Sequence, residues 1–460
     1  MSINELKPTT ENIAECFVKD IVRRQEAVLG FVDVLDATSK HSIAVDGRWG
    51  SGKTFFVKQT KLLLDICNKQ VSKVELSENI LFDLNGVIYK HCHPNPGIVD
   101  AEWKPMFSVY YDAWTNDNDI DPLISIIYCI AKGINEENCL KTTQVNYLRS
   151  AADIIKCVQG WSVGELLNVF NTEDPLSAIK SQKSLEERIN EFLGIITNER
   201  GEKIVIFIDE LDRCKPSFAV KLLERVKHYF DNERVIFVFS TNLEQLQHTV
   251  KKFYGIDFDA TRYLNRFFDY VFELPEADME NYLYTLQREV KYDYDFIGSE
   301  IMKMYNLTLR DVAQYYRMLK FAFDPAQLKT GLKPWAEKKT VRMAVSVFLP
   351  ILFVLRMTDN SAYNDFINGK SAEYFEKLIC SKKLKSRART IFCAGSMGND
   401  SDEDLKNIVR DVYSAVFIER YEDIKEQYLT NSFVFTQNTK ECIFDIISGL
   451  SLDKNIALLE

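Results

Sequence analysis

IAVDGRWGSGKTFFVKQ, Ile43 to Gln59, decides how this chain is read. The apolar run Ile43, Ala44, Val45 leads into a glycine-rich turn with one lysine, and Phe56, Thr60, Leu63, Leu64 and Cys67 then recur at helical spacing. Strand, turn and helix come in the order that a phosphate-binding loop requires, and Gly47, Gly52, Lys53 and Thr54 fit G-x-x-x-x-G-K-[ST]. The chemistry depends on these residue types. Across Gly47, Gly50, Ser51 and Gly52, backbone N–H groups can turn inward as an anion nest, while the helix opening at Lys53, Thr54 and Phe55 directs its positive end at the phosphates. Lys53 is expected to reach the β- and γ-phosphates of ATP, and the Thr54 hydroxyl to ligate Mg2+. Trp49 reads as a packing residue of the loop, with contact to the nucleotide as the alternative.

A magnesium carboxylate is needed to complete such a site, and KIVIFIDELDRC, Lys203 to Cys214, provides one. Ile204 to Ile208 read as a parallel strand buried on both faces, with acids at its end. Asp209 stands where Mg2+ would be held, and Glu210 where a general base could orient and deprotonate the attacking water. Asp212 and Arg213 read as a local ion pair or a subunit contact. Ala219, Leu222, Leu223, Val226 and Phe230 mark an amphipathic helix, followed by a second buried strand, Val235 to Asn242. Asn242 is expected to position water, its alternative being the N-cap of the next helix. In ATRYLNRFFDYVFELP, Ala260 to Pro275, a short helix is expected to bear Arg262 and Arg266, either fingers toward a neighbouring subunit's phosphate or surface ion pairs, ahead of a strand at Tyr270 to Leu274. Arg310, early in the helix Asn306 to Lys320, is expected to reach back over the nucleotide from a helical lid.

In their order along the chain, IAVDGRWGSGKT, FSVYYDAW at Phe107 to Trp114, IVIFIDELDRC and RYLNRFFDYVFELP resemble the KAP family of P-loop NTPases over about Ile13 to Leu319. The resemblance implies a three-layer α/β ATPase core with a parallel sheet of the additional-strand type, related to the AAA and STAND groups. It assigns phosphate and metal roles to Gly52, Lys53, Thr54 and Asp209, a catalytic role to Glu210, and packing against adenine to the segment before the loop. Many members carry membrane helices between the two motifs, but the interval from Lys53 to Asp209 here has no spanning run. Soluble bacterial members suggest anti-phage defence. The expected partners are copies of the chain itself and proteins of a multi-component system.

Composition sets the remaining bounds. A chain of 460 residues, 46% hydrophobic, suits two or three globular parts. The divisions expected are an N-terminal helical segment (1–40), the ATPase core (41–275) with a helical insertion at about 134–202, the lid (276–328) and a helical C-terminal domain (329–460). A net charge of -10 excludes a surface that wraps nucleic acid as a whole and leaves only a local patch. The longest apolar run, Met343 to Leu355, falls short of the roughly 20 residues of a spanning helix and contains Pro350, so it reads as a buried helix. No signal peptide is read at the N-terminus, and ten scattered cysteines without a CxxC pair suit reduced thiols, so the expected location is cytoplasmic. His91, Cys92 and His93 read as a loop rather than a metal site, and Asp112 as a strand-end cap with Trp114 in the core. The basic Lys382–Arg389 and acidic Asn399–Leu405 stretches read as solvated loops, with docking or nucleic-acid contact as the alternative.

Overall fold

Five strands form one parallel sheet: β1 (His41–Asp46), β2 (Met106–Asp112), β3 (Lys203–Asp209), β4 (Val235–Thr241) and β5 (Tyr270–Glu273), in the order β2-β3-β4-β1-β5. The computed structural model describes residues 8–39, 41–68, 74–93, 102–136, 150–155, 177–230, 232–286, 293–322, 339–393, 401–419, 428–430, 433–437, 440–441 and 444. The chain divides into two compact units, Leu6–Asp278 and Met279–Glu460. The segment expected as a lid and the one expected as a C-terminal domain both fall in the second unit.

In the first unit, β3 and β4 are buried along their whole length, which is why they appear in sequence as unbroken apolar runs. β1 and β3 are not neighbours. β4 lies between them, with Ile43 beside Val238 and Ile206 beside Phe237. This is the additional strand, and the core is a three-layer α/β P-loop architecture. On one side lie α1 (Thr10–Val18), α2 (Gln25–Ala37) and α3 (Lys53–Cys67); α4 (Glu78–Cys92) packs against α1. Phe31 of α2, Phe56 of α3 and Phe272 of β5 form a ring cluster with centroids 4.9 to 5.5 Å apart. At the far end of α2, the ammonium of Lys203 donates to the carbonyls of Leu35, Asp36 and Thr38, closing the helix's open acceptors.

The opposite layer consists of α5 (Pro122–Glu136), α6 (Ser177–Glu199) and α7 (Pro216–Tyr229). Their Ile126, Ile130, Phe192, Ile196 and Leu222 share one core with Ile204, Ile206 and Ile208. The expected insertion thus contributes α6 directly to the main core. α8 (Leu243–Tyr254) and α9 (Ala260–Leu264) connect β4 to β5. The expected loop at His91–His93 is corrected: His91 and Cys92 end α4, and His91 Nε2 lies 2.9 Å from Asp33 Oδ2. Tertiary packing of the α4 face stabilises helix in a stretch that reads locally as polar.

The second unit contains α10 (Met279–Leu286), α11 (Asp293–Met304), α12 (Leu309–Ala322), α13 (Lys339–Thr358), α14 (Asn360–Ile367), α15 (Ala372–Ile379), α16 (Lys385–Phe392) and α17 (Asp402–Phe417). It also has a short antiparallel pair, β6 (Tyr428–Thr430) and β7 (Phe433–Phe435), which the all-helical expectation missed. The apolar run around Pro350 is the buried core of α13, where Phe348 packs on Phe375 and Phe417 at 5.0 Å. Among the described residues no helix is long and apolar enough to cross a membrane. The two charged stretches are not loops. Lys385 and Arg389 of α16 both pair with Asp402, and Ser401 with Asp404 forms a capping box that starts α17. Residues 399–400 of the acidic stretch lie outside the described residues.

Candidate active site

The glycine loop leaves β1 at Asp46 and enters α3 at Lys53. Gly50 (φ 76°) and Gly52 (φ 94°) adopt left-handed backbone, which a side chain would strain. Gly47 is required for space: a Cβ there would lie 3.0 Å from Ser51 Oγ and 3.4 Å from Leu274 Cβ. Inside this turn the buried Lys53 bends back, its ammonium donating to the carbonyls of Gly47 at 2.6 Å and Arg48 at 3.1 Å. Burial pushes its pKa down, opposed by the charges of Asp212, Asp209 and Asp46. A desolvated cation held by weak carbonyl partners has much to gain from a phosphate. Thr54 follows in the first turn of α3, partly exposed, and Phe55 is buried.

At the tip of β3, one carboxylate oxygen of the buried Asp209 accepts the Tyr110 O–H at 2.8 Å, and the other accepts the Glu210 N–H at 3.0 Å. The Tyr110 phenol is held protonated by its own burial and by Asp209, so it serves as a fixed donor that orients this carboxylate. Glu210 has φ 60° and ψ 28°, an uncommon left-handed conformation for a side-chain-bearing residue. That turn ends the strand and sets a second acid immediately after the first. Glu210 Oε1 lies 3.1 Å from Arg213 Nη1, and the Arg213 guanidinium sits over the Trp114 ring at 5.4 Å.

Asp212 joins three parts of the site. Its carboxylate accepts the indole N–H of Trp49 from the glycine loop and the hydroxyl of Thr241 from the tip of β4 at 3.1 Å, while its carbonyl accepts the Thr249 hydroxyl of α8 at 3.4 Å. The expectations for the two tryptophans are therefore corrected. Trp49 is 48% exposed and Trp114 51% exposed, and each meets the site through a polar or cationic partner rather than through core packing. Arg213 pairs with Glu210, whereas Asp212 is a bridge between distant segments. Sequence reasoning missed this bridge and Tyr110. The only local signal was the neighbouring acids and the paired tyrosines before Asp112. Asp112 itself caps the strand end, accepting the Thr115 N–H at 2.9 Å.

Asp212→Ala strands the fully buried Thr241 hydroxyl and removes one of the charges that favour the Lys53 ammonium. A lost buried hydrogen-bond partner costs about 1–3 kcal/mol. Thermal denaturation should show a midpoint lowered by several degrees, together with weaker nucleotide protection. An unchanged midpoint and unchanged protection would contradict the bridging role.

Among the described residues no group of three or more His, Cys, Asp or Glu forms a ready metal cage. This donor set fits Mg2+, which takes one or two protein oxygens and completes its shell with water and phosphate. Thr54 and Asp209 are the hard-oxygen donors that would hold it.

The remaining candidates are dispersed. Asn242 is the N-cap of α8, its side-chain oxygen accepting the Gln245 N–H at 3.2 Å. Arg262 is exposed on α9, and Arg266 lies in the turn beyond that helix instead of on it. The Arg266 carbonyl accepts the Lys227 ammonium, and its side chain lines a cavity of about 380 Å3 with Ser42 and Val235. Those residues mark the N-terminal ends of β1 and β4. A six-residue strand at ~3.3 Å per residue places this turn on the order of 20 Å from the glycine loop of the same chain. Arg310 is exposed at the start of α12, in the second unit.

A family model described as the KAP family P-loop domain matches residues 24–315. No curated protein matches the chain.

Proposed function

The chain belongs to the KAP family of P-loop NTPases, and from that premise we propose that it binds ATP with Mg2+ and hydrolyses the γ-phosphate, acting as an oligomeric switch or motor. The observation that carries this reading is Glu210, an acid set by a strained turn directly after the buried Asp209. An acid at this position supplies the general base that hydrolysis requires. In the proposed reaction, loop N–H groups and Lys53 bind the β- and γ-phosphates, and Thr54 and Asp209 would hold Mg2+, which would supply positive charge to the transferring group. Glu210 takes a proton from water as the water oxygen bonds to the γ-phosphorus. The bond from the γ-phosphorus to the bridging oxygen breaks, and its electron pair stays with ADP.

Arg266 is too far from its own loop to complete this site, so its charge is proposed to serve a neighbouring copy, with Arg262 as the alternative finger. That is the reason for proposing an oligomer. Asn242 is proposed to position water beside its capping role, and Arg310 to contact nucleotide from the second unit. Adenine, the cytoplasm and anti-phage defence within a multi-protein system follow the resemblance and complete the proposal.

The ion pair between Glu210 and Arg213 supports a second reading. It occupies the base, as expected of a non-turnover scaffold that signals to a partner protein while loaded with ATP. Phosphate release from ATP by the purified chain, with Mg2+ and with excess EDTA, tests the main reading. Release that falls to background on chelation is expected. Release unaffected by EDTA contradicts the metal assignment, and no release under either condition favours the scaffold.

A further inference from the structure

Arg24 is the first residue of the matched segment and the N-cap residue of α2, and it is buried to 4% exposure. One guanidinium nitrogen donates to the carbonyl of Ser51, inside the glycine loop, at 2.7 Å. Its Nε has no hydrogen-bond partner, and neither has the Ser51 hydroxyl beside it. Among the described residues no carboxylate is paired with Arg24. Of the two acids nearest in sequence, Glu26 is exposed on α2, and Asp20 faces Arg23 at 3.8 Å and accepts the Gln25 N–H.

A guanidinium has five N–H donors and keeps its charge at neutral pH. Burial alone pushes the pKa of Arg24 down to about 10, with no carboxylate among the causes, so it remains charged at pH 7 and uncompensated. Such a charge costs several kcal/mol unless an anion arrives. Holding the Ser51 carbonyl does not explain the charge, since a neutral amide would donate there at far lower desolvation cost. The anion that this loop is built to receive is a phosphate chain.

We propose that Arg24 is a further recognition residue of the nucleotide site, supplying positive charge for the phosphate chain from the segment before the loop while it holds the loop at Ser51. The proposal rests on the nucleotide reading above and adds a residue that the loop motif does not contain. It also gives the segment before the loop a role in reading charge, distinct from packing against the base.

The test is equilibrium titration of ATP, ADP and AMP with Mg2+ into the full-length wild type, Arg24→Gln and Arg24→Lys, alongside thermal midpoints without nucleotide. Glutamine keeps a donor for the Ser51 carbonyl and removes the charge. Expected results are an Arg24→Gln midpoint no lower than wild type and ATP binding weakened by about tenfold or more, a buried charge acting in a low-dielectric setting. The loss should grow from AMP to ADP to ATP, and lysine should recover most of it. An equal loss for all three nucleotides, or none, would overturn the proposal, as would a lowered midpoint with unchanged ATP affinity. Failure of the wild type to bind ATP would overturn the nucleotide reading and this inference with it. Failure of Arg24→Gln alone to change binding would overturn only this one.

Discussion

Lys53→Ala is expected to reduce ATP affinity by at least ~100-fold, the largest binding loss of any single substitution in the loop. The ammonium is buried, its hydrogen-bond partners among the described residues are two carbonyls of its own loop, and burial depresses its pKa. Each of these features makes the free state a poor environment for a cation and the phosphate-bound state a good one. Removing one partner of a buried ion pair costs about 3–5 kcal/mol, which corresponds to roughly 10²- to 4 × 10³-fold in affinity. In the free protein the variant should lose little stability, because the desolvation cost of the ammonium disappears along with its two hydrogen bonds. Titration calorimetry and thermal denaturation separate the two effects. A variant that binds ATP like the wild type would remove Lys53 from the site. The depressed pKa adds a pH dependence. Lys53 loses its proton at lower pH than an ordinary lysine, so the penalty for burying its charge, present below the folded-state pKa, is relieved as pH rises through it. ATP binding, which uses the charged form, should weaken over that same interval, at lower pH than titration of an ordinary lysine would give.

Glu210→Gln is expected to lower turnover by about 10²- to 10⁴-fold while leaving ATP bound, the range for loss of a positioned general base. Glutamine preserves the volume and an acceptor oxygen for Arg213, and it is no worse than glutamate in left-handed backbone, so the strained turn at φ 60° should survive. The nest, Lys53 and Asp209 are untouched. The variant should therefore keep the wild-type ATP affinity within a few-fold and lose the chemical step, and its far-ultraviolet circular dichroism and thermal midpoint should match the wild type. Equal turnover in the two proteins would assign the proton to another group.

The parts of this architecture that were legible in the sequence are those where local pattern and fold coincide. β3 and β4 are buried on both faces, so their apolar runs needed no partner to be recognised, and the loop between β1 and α3 is specified by two glycines in left-handed backbone that a side chain would strain and one at a position with no room for a side chain. Asp209 and Glu210 were legible because two adjacent acids break off an unbroken apolar run at the end of its strand. What depends on distant pairing was not legible. Trp49 and Asp212 lie 163 residues apart and meet only because β4 sits between β1 and β3. Trp114 reads as core until its ring is seen to carry Arg213. Lys385, Arg389 and Asp402 are solvated as read, but their stretches read as loops rather than helices because each lacks its partner when taken alone. Arg266 lies at the opposite end of the strands because it directly precedes β5, which runs parallel to β1, a consequence that the spacing of the arginines alone does not show.

The most direct test of the central claim is a single turnover with protein in excess over ATP and Mg2+, quenched at intervals, with bound nucleotide quantified for the wild type and Glu210→Gln. The account predicts that ADP and phosphate accumulate on the wild type while ATP persists intact on the variant. ATP persisting on both, or ADP forming equally fast on both, would contradict it.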